Sequence, residues 1–462
     1  MYFMSTRGGM SKVSFSDVVL EGLAPDGGLT VPEHFPRFSA EDLKRMRAMQ
    51  YSQLASTIVR KFAEDVPDLE TLVDATYTKE VFGTPEITPT ERVYHGVHLL
   101  DLSRGPTLAF KDVGLQFLGN LFECLLMKNG EKLNILGATS GDTGSAAEYA
   151  VRGKKNVSIF MLSPLERMSA FQTAQMYSLI DENVMNIAVK GVFDDCQDLV
   201  KRVSGDLEFK RAHHLGAVNS INFARIAAQI PYYFKGYFAV AKEGEAVDFA
   251  VPTGNFGNIL AGYYARMMGL PIGRLILATN ENDVLDEFFT SGNYRPRKTT
   301  MQTSSPSMGI SKASNFERYI FDVVGRDPKI TAQLFKEGAF NLRNTDYWKN
   351  IEASAIISGY SNHEMRLGTI RKAYEYAKRV IDTHTADAMH VGLLHKRDGI
   401  PLIVLETAKP DKFPETIKEA LGFIPPRPQK YEGIENLKQR YETIGKSDDA
   451  RLKQIIAEKG LR

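Results

Sequence analysis

From Val93 onward, short runs of β-branched and aliphatic residues recur, each followed by a turn and then an apolar pattern at helical spacing. Nothing else in the chain restricts its fold as strongly. Strands that read as continuous apolar runs are those buried on both faces of a parallel sheet, and the helices between them are the crossovers such a sheet requires. Residues 133–136 lead through a turn at 137–144 into a helix over 145–151, and residues 246–251 lead through 252–258 into a helix over 259–268. Further strands are predicted at 157–162, 184–189, 275–279 and 402–405. The body is therefore predicted to be α/β, with parallel sheets.

The chain has 462 residues, which at about 150 per domain allows roughly three domains. Before about residue 95 the pattern differs: amphipathic helical stretches at 40–49 and 51–63, with Pro/Gly punctuation, predict a helix-rich N-terminal unit. Residues 280–340 are less regular and carry a polar cluster at 295–311, expected as an insertion over an active-site face. Residues 437–456 are highly charged with both signs interspersed, and are expected to form a solvated surface helix region.

Charge and composition exclude several classes of function. Lys plus Arg number 57 against 56 Asp plus Glu, so the net charge of +1 offers no basic surface for nucleic acid. The most apolar long stretch, 221–241, is interrupted by Arg225, Gln229, Pro231 and Lys235, so no membrane span is expected. Residues 1–17 are polar, with no apolar segment behind a basic start, and the only cysteines, Cys124 and Cys196, cannot build a disulfide framework. The expectation is a cytoplasmic enzyme or binding protein for a small molecule, with no membrane or nucleic-acid partner.

Three segments carry residues suited to chemistry. In Pro106-Thr-Leu-Ala-Phe-Lys-Asp112, Lys111 lies at a helix start beside Phe110 and Val113. Desolvation there would lower the amine's pKa toward the neutral, nucleophilic form that a Schiff base needs; the alternative is a surface lysine whose stem covers apolar neighbours. Ala138-Thr-Ser-Gly-Asp-Thr-Gly144 joins a strand to a helix and offers backbone N–H groups and hydroxyls to an anion, although a purely structural turn would use similar residues. Val251-Pro-Thr-Gly-Asn-Phe-Gly-Asn258 repeats that construction later in the chain. The G-x-G-x-x-G fingerprint is missing from both loops, and Gly445-Lys446-Ser447 lacks the first Gly of a Walker A loop, which disfavours dinucleotide and NTP chemistry. His384, His390 and His395 do not match metal-ligand spacing and read as structural.

In that order, the lysine, the hydroxyl-rich loop and the Gly/Asn loop resemble the tryptophan-synthase-like group of pyridoxal-phosphate enzymes (fold type II). The chain is most similar to the threonine synthase family within it. The resemblance is carried by Ser5-Thr-Arg-Gly8, Phe15-Ser-Asp17, Gly22-Leu-Ala-Pro-Asp-Gly-Gly-Leu29, the Lys111 and Asp142 motifs, Ser305-Pro-Ser-Met308, Ser314-Asn-Phe-Glu-Arg318, Asp382-Thr-His-Thr-Ala386 and Glu406-Thr-Ala408. It implies a helix-rich domain over 1–95, a larger cofactor-binding α/β domain from 96–131 and 241–462, and a smaller α/β domain over 132–240.

The resemblance further implies pyridoxal 5'-phosphate as cofactor and O-phospho-L-homoserine as substrate, converted with water to L-threonine and phosphate by γ-elimination and β-addition. It makes Lys111 the Schiff-base lysine and proton shuttle. Gly254, Asn255, Phe256, Gly257 and Asn258 would hold the cofactor phosphate, and Thr385 would face the pyridine nitrogen. Thr139, Ser140, Gly141 and Thr143 would take the substrate carboxylate. Asn219, Ser220, Asn222 and Arg225 would take the substrate phosphate. Asp142 stands where the wider group usually carries Asn on the cofactor ring, and its role is left open. No metal is expected, and the molecule is expected as a monomer or homodimer. Two other readings remain: a threonine or serine dehydratase, which has no use for a second phosphate site, and a non-catalytic binder of the cofactor or a phosphometabolite.

Overall fold

The structure, a computed structural model, describes residues 1–94 and 96–462. Residue 95, the expected border of the N-terminal unit, lies outside the described residues.

The N-terminal unit opens with an antiparallel pair, β1 (Phe3–Ser5) and β2 (Thr30–Pro32), and continues as short helices at Phe15–Glu21, Ala40–Met46, Tyr51–Val59 and Leu69–Thr76. Ser14 and Ser39 each close a capping box with the aspartate three residues on, which stops both helices fraying at their first turn. Leu54, Ile58, Val59, Leu69 and Val73 are fully or almost fully buried, so this unit has a core at the expected helical spacing.

The first half of the α/β body contributes β3 (Thr90–Tyr94), β4 (Val97–Asp101), β5 (Leu133–Ala138), β6 (Val157–Pro164), β7 (Val184–Lys190) and β8 (Leu215–Gly216). The second half adds β9 (Val247–Pro252), β10 (Ile272–Thr279), β11 (Asn293–Tyr294), β12 (Phe340–Asn341), β13 (Ile356–Tyr360), β14 (Leu402–Glu406) and β15 (Glu442–Gly445). Two larger sheets result, one of six strands in the order β13-β10-β9-β14-β4-β3 and one of five in the order β15-β7-β6-β5-β8. All pairings in these two sheets are parallel except β3 with β4, an antiparallel edge. Every residue of β6, β9 and β14 is buried, as both-face burial requires. The fold is thus the expected pair of α/β layers beside a helical N-terminal unit.

The tail corrects two expectations. The sequence places 241–462 in the larger unit and predicts a solvated surface helix region over 437–456. Instead β15 pairs with β7 in the five-stranded sheet, and Ile444, Leu452, Ile455 and Ile456 are buried there. Their apolar side chains cover one edge of that sheet while Glu442 ties Arg451 and Lys459 on the outside. The mixed charges therefore mark only the outer face of a docked strand and helix.

Three helix starts converge outside the carboxyl ends of parallel strands, where open α/β sheets place ligand crevices. Lys111–Asn129 follows β4, Asp142–Val151 follows β5, and Gly257–Met267 follows β9. The Lys111–Asn129 helix buries Val113, Phe117, Leu118, Leu121, Phe122, Leu125 and Leu126, and ends on Gly130 in the left-handed region, which satisfies its last carbonyls. Its start is fixed by an antiparallel contact between Ala109 and Ala408, with Phe110 N–H donating to the Thr407 carbonyl at 2.9 Å.

Candidate active site

The three helix starts enclose a cleft lined among others by Lys111, Asp142, Thr143, Ser220, Arg225, Gly254 to Asn258, Ser307 and His384. Lys111 stands at its centre. Its Nζ lies 3.5 Å from Asp142 Oδ2 and 5.2 Å from the centre of the Phe110 ring, and its side chain is 13% exposed. Burial lowers its pKa; Asp142 pulls the other way, while Lys412 and Arg225 add like-charge repulsion. The net shift is downward, toward the neutral amine that attacks a carbonyl carbon.

Asp142 is bound on both oxygens. Oδ1 takes Lys412 Nζ at 2.7 Å and Gln172 Nε2 at 3.1 Å, and Oδ2 accepts from Ser307 Oγ at 2.7 Å. Burial pushes this carboxyl upward, but Lys412 and then Lys111 outweigh it and hold the pKa well below the usual carboxylate range. The turn before it needs Gly141, whose φ is +140° and where a Cβ would stand 2.5 Å from the Gln172 side chain. Thr139 is the turn's hub: its Oγ1 accepts from the Gly141 and Gly144 N–H groups at 3.0 and 2.8 Å. Thr143 lines the cleft, whereas Thr139 serves the turn and Ser140 is exposed.

The second loop is built by close packing. At Gly254 a Cβ would meet Met308 Cα at 3.2 Å and Ile310 Cγ1 at 3.0 Å, so the 307–310 segment lies directly against the backbone. Phe256 takes φ +65°, uncommon for a bulky residue, and its ring is held among Phe316, Tyr319 and Phe289. Asn255 accepts on its carbonyl from the Asn315 N–H at 3.1 Å. Asn258 Oδ1 accepts from Tyr232 and Tyr233 at 2.6 and 3.0 Å, while its buried Nδ2 has no partner. The Gly257–Met267 helix adds the free N–H groups and positive end of its first turn.

Arg225 is 4% exposed, donates from Nη1 to the Val218 carbonyl at 3.1 Å, and leaves its buried Nε without a partner. Burial pushes its pKa down to about 10, so it remains a cation at neutral pH. With one carbonyl as its acceptor, the guanidinium has donors to spare for an anion. Of its expected companions, Ser220 lines the cleft. Asn222 does not: its Nδ2 donates to the Val19 carbonyl at 2.9 Å, and its Oδ1 caps the helix at Phe223–Ala227 through the Ala224 N–H at 3.1 Å. Asn219 is exposed and also lies outside the lining. Thr385 is buried outside it as well; its hydroxyl donates to Asp382 and accepts from the Thr407 N–H at 3.4 Å.

Four residues escaped sequence reasoning: Lys412, Gln172, Ser307 as an Asp142 ligand, and His384. His384 was read as structural, yet it lines the cleft; its Nε2 accepts the Ser307 N–H at 3.0 Å, leaving Nδ1 to donate to Asp382 Oδ1 at 3.0 Å. The only local signal for His384 was its place two residues after the capping Asp382. Among the described residues no group of His, Cys, Asp and Glu has the arrangement of a metal site, and no helix is long and apolar enough to cross a membrane.

Three family models match the chain: "Threonine synthase N terminus" over residues 2–77, "Pyridoxal-phosphate dependent enzyme" over 81–337, and "Threonine synthase, C-terminal" over 385–456. A threonine synthase of Methylobacillus glycogenes is 55% identical, covering 99% of this chain and 100% of that one. The threonine synthase of Schizosaccharomyces pombe is 41% identical over 98% of this chain and 97% of its own. Among solved structures, PLP-bound threonine synthase from Brucella melitensis superposes with a TM-score of 0.95 at 38% identity over the whole of both chains. Threonine deaminase isoform 2 of Solanum lycopersicum, at 13% identity and a TM-score of 0.52 over 86% of this chain and 98% of that one, shares the fold alone.

Proposed function

The chain belongs to the threonine synthase family, and from that premise we propose that its cleft converts O-phospho-L-homoserine and water into L-threonine and phosphate. The observation that carries the reading is Lys111 sharing one cleft with a buried Arg225 whose Nε has no partner. The enzyme is a pyridoxal-phosphate-dependent lyase. The residues present suit that cofactor: an amine at the centre of the cleft whose pKa burial lowers, a helix start with the unpartnered Asn258 Nδ2 for a phosphate, and a Gly254 loop with no room for a side chain. When bound, pyridoxal phosphate supplies the conjugated system that accepts the electron pair left at the substrate's α carbon.

The chain's own residues do the rest. We assign Gly254 to Asn258 to the cofactor phosphate, and Thr385, held by Asp382, to its ring nitrogen. Thr143 and the turn from Thr139 to Gly141 are assigned to the substrate carboxylate, at the positive start of the Asp142–Val151 helix. Arg225 and Ser220 hold the phosphate that leaves the γ carbon. Binding a group remote from the α carbon orients the reacting atoms before that group departs. Lys111 Nζ takes the proton from the α carbon, then from the β carbon, and returns protons at the γ and α carbons; water gives its hydroxide to the β carbon and its remaining proton to the released phosphate. Asp142 stays ionised throughout as its counterion. The thiols Cys124 and Cys196 are both free, which supports a cytoplasmic setting.

The purified enzyme is expected to release phosphate and L-threonine in equal amounts from O-phospho-L-homoserine. Lys111→Ala is expected to lower kcat by roughly 10³-fold or more. A Lys111→Ala chain with unchanged turnover would refute the assignment.

A further inference from the structure

We propose that Lys412 is a positioning residue of this reaction, the fixed cation that seats Asp142 so that its second oxygen faces Lys111. The inference rests on the function proposed above and extends it to a residue outside the motifs. Lys412 is completely buried; its Nζ lies 2.7 Å from Asp142 Oδ1 and donates to the Thr107 carbonyl at 2.9 Å. Thr107 belongs to the turn that leads into Lys111, and Lys412 follows the 407–409 segment zipped against 108–110. One ammonium thus ties together the three pieces of chain that meet at the reactive amine.

The arrangement holds the two lysines unequally against Asp142. Two buried amines share one carboxylate, and burial penalises a second positive charge. Lys412 has the shorter contact and a carbonyl acceptor besides, so it is the more firmly held of the two amines, while Lys111 stands off at 3.5 Å. Without Lys412, Asp142 would belong to Lys111 alone and would hold its proton in place. The other groups facing this pair leave the ordering intact. Arg225 repels a charged Lys111. Ser307 and Gln172 donate to Asp142 without carrying charge. Asp112 accepts from Thr107, and His384 accepts from the Ser307 N–H. The downward pull of burial and of the Lys412 charge on Lys111 agrees with this ordering.

The test is the pH dependence of Lys111 acylation in the full-length, cofactor-free chain. Trace acetic anhydride serves as the probe, read at each lysine peptide by mass spectrometry. In that reaction the amine's lone pair takes the acetyl carbon, acetate leaves and the ammonium proton is lost, so the rate reports the neutral amine. The exposed Lys349 is the internal reference. Lys412→Met is expected to raise the Lys111 midpoint by about one pH unit or more, a roughly tenfold lower rate at neutral pH. Asp142→Asn is expected to move it the opposite way, and Asp142→Asn with Lys412→Met to return it toward the parent value.

A merely structural lysine would lower thermal stability without shifts of opposite sign. A Lys111 midpoint that stays put in folded Lys412→Met overturns the proposal. Should that variant fail to fold, the double variant, which leaves no uncompensated charge, must still match the parent midpoint, and a midpoint displaced upward by about a unit overturns it equally. Borohydride trapping of pyridoxal phosphate in the parent chain tests the underlying reading separately. A label on a lysine peptide other than that of Lys111 would overturn the cofactor assignment whatever the acylation midpoints show.

Discussion

The β5 side of the cleft and its β9 side both offer a turn and a helix start, but they differ in how their polar atoms are spent. On the β5 side, Asp142 receives Lys412, Gln172, Ser307 and Lys111. The chain has balanced its own charges there before any ligand arrives. On the β9 side and the neighbouring Arg225, two buried donors, Asn258 Nδ2 and Arg225 Nε, have no partner. An unpaired buried donor costs about 1–3 kcal/mol, so the protein carries that penalty until an anion relieves it. One side has spent its polar atoms on itself; the other keeps two donors open, as the proposed phosphate sites require.

The contrast breaks most readily in stability. Asp142→Asn strands the buried Lys412 and is expected to cost roughly 3–5 kcal/mol, whereas Arg225→Met removes an under-partnered cation and should cost about 1 kcal/mol or less. Thermal unfolding of the cofactor-free chains checks the order; Arg225→Met melting below Asp142→Asn would erase the distinction.

A second measurement sharpens the charge balance next to Lys111. Burial raises the Asp112 carboxyl, against two donors from Thr107, from its ordinary 3.8 to about 6. Because the folded value lies above the unfolded one, its stabilising contribution is complete below about pH 3.8 and is lost as pH rises through about 6. The parent's Tm relative to that of Asp112→Asn should therefore fall between pH 4 and pH 7, by a free-energy difference on the order of 3 kcal/mol. A flat difference across that range would remove Asp112 from the account.

Smaller effects probe the β9 side. Inorganic phosphate at ten times its Kd should stabilise the parent by about 1.4 kcal/mol, and Arg225→Met should lose a measurable part of that shift. Asn222→Ala should cost about 1 kcal/mol as a lost helix cap while leaving kcat/KM within about twofold. A large kinetic defect there would return Asn222 to the phosphate site.

Sequence reasoning reached the parts of the molecule whose causes are local. Strands such as 157–162 and 184–189 were legible because both-face burial demands uninterrupted apolar runs, and they are observed at Val157–Pro164 and Val184–Lys190. Lys111 and the two loops were visible because a turn before a helix start needs glycine and small polar residues within a few positions. Lys412, Gln172 and His384 left no such trace, since their partners arrive from distant segments and nothing adjacent distinguishes a buried lysine from a surface one. The tail misled for a related reason: only Ile444, Leu452, Ile455 and Ile456 face inward, and the charges between them dominated the reading. Asn222 was ambiguous in sequence because an asparagine before a helix suits a cap as well as a phosphate, and in the structure it caps.

The most direct test of the central claim is kcat/KM for Arg225→Ala with O-phospho-L-homoserine, set beside its activity on a substrate of the same carbon skeleton that lacks the phosphate. The account predicts a loss of roughly 10- to 100-fold confined to the phosphorylated compound. Equal losses on both, or no loss on either, would contradict it.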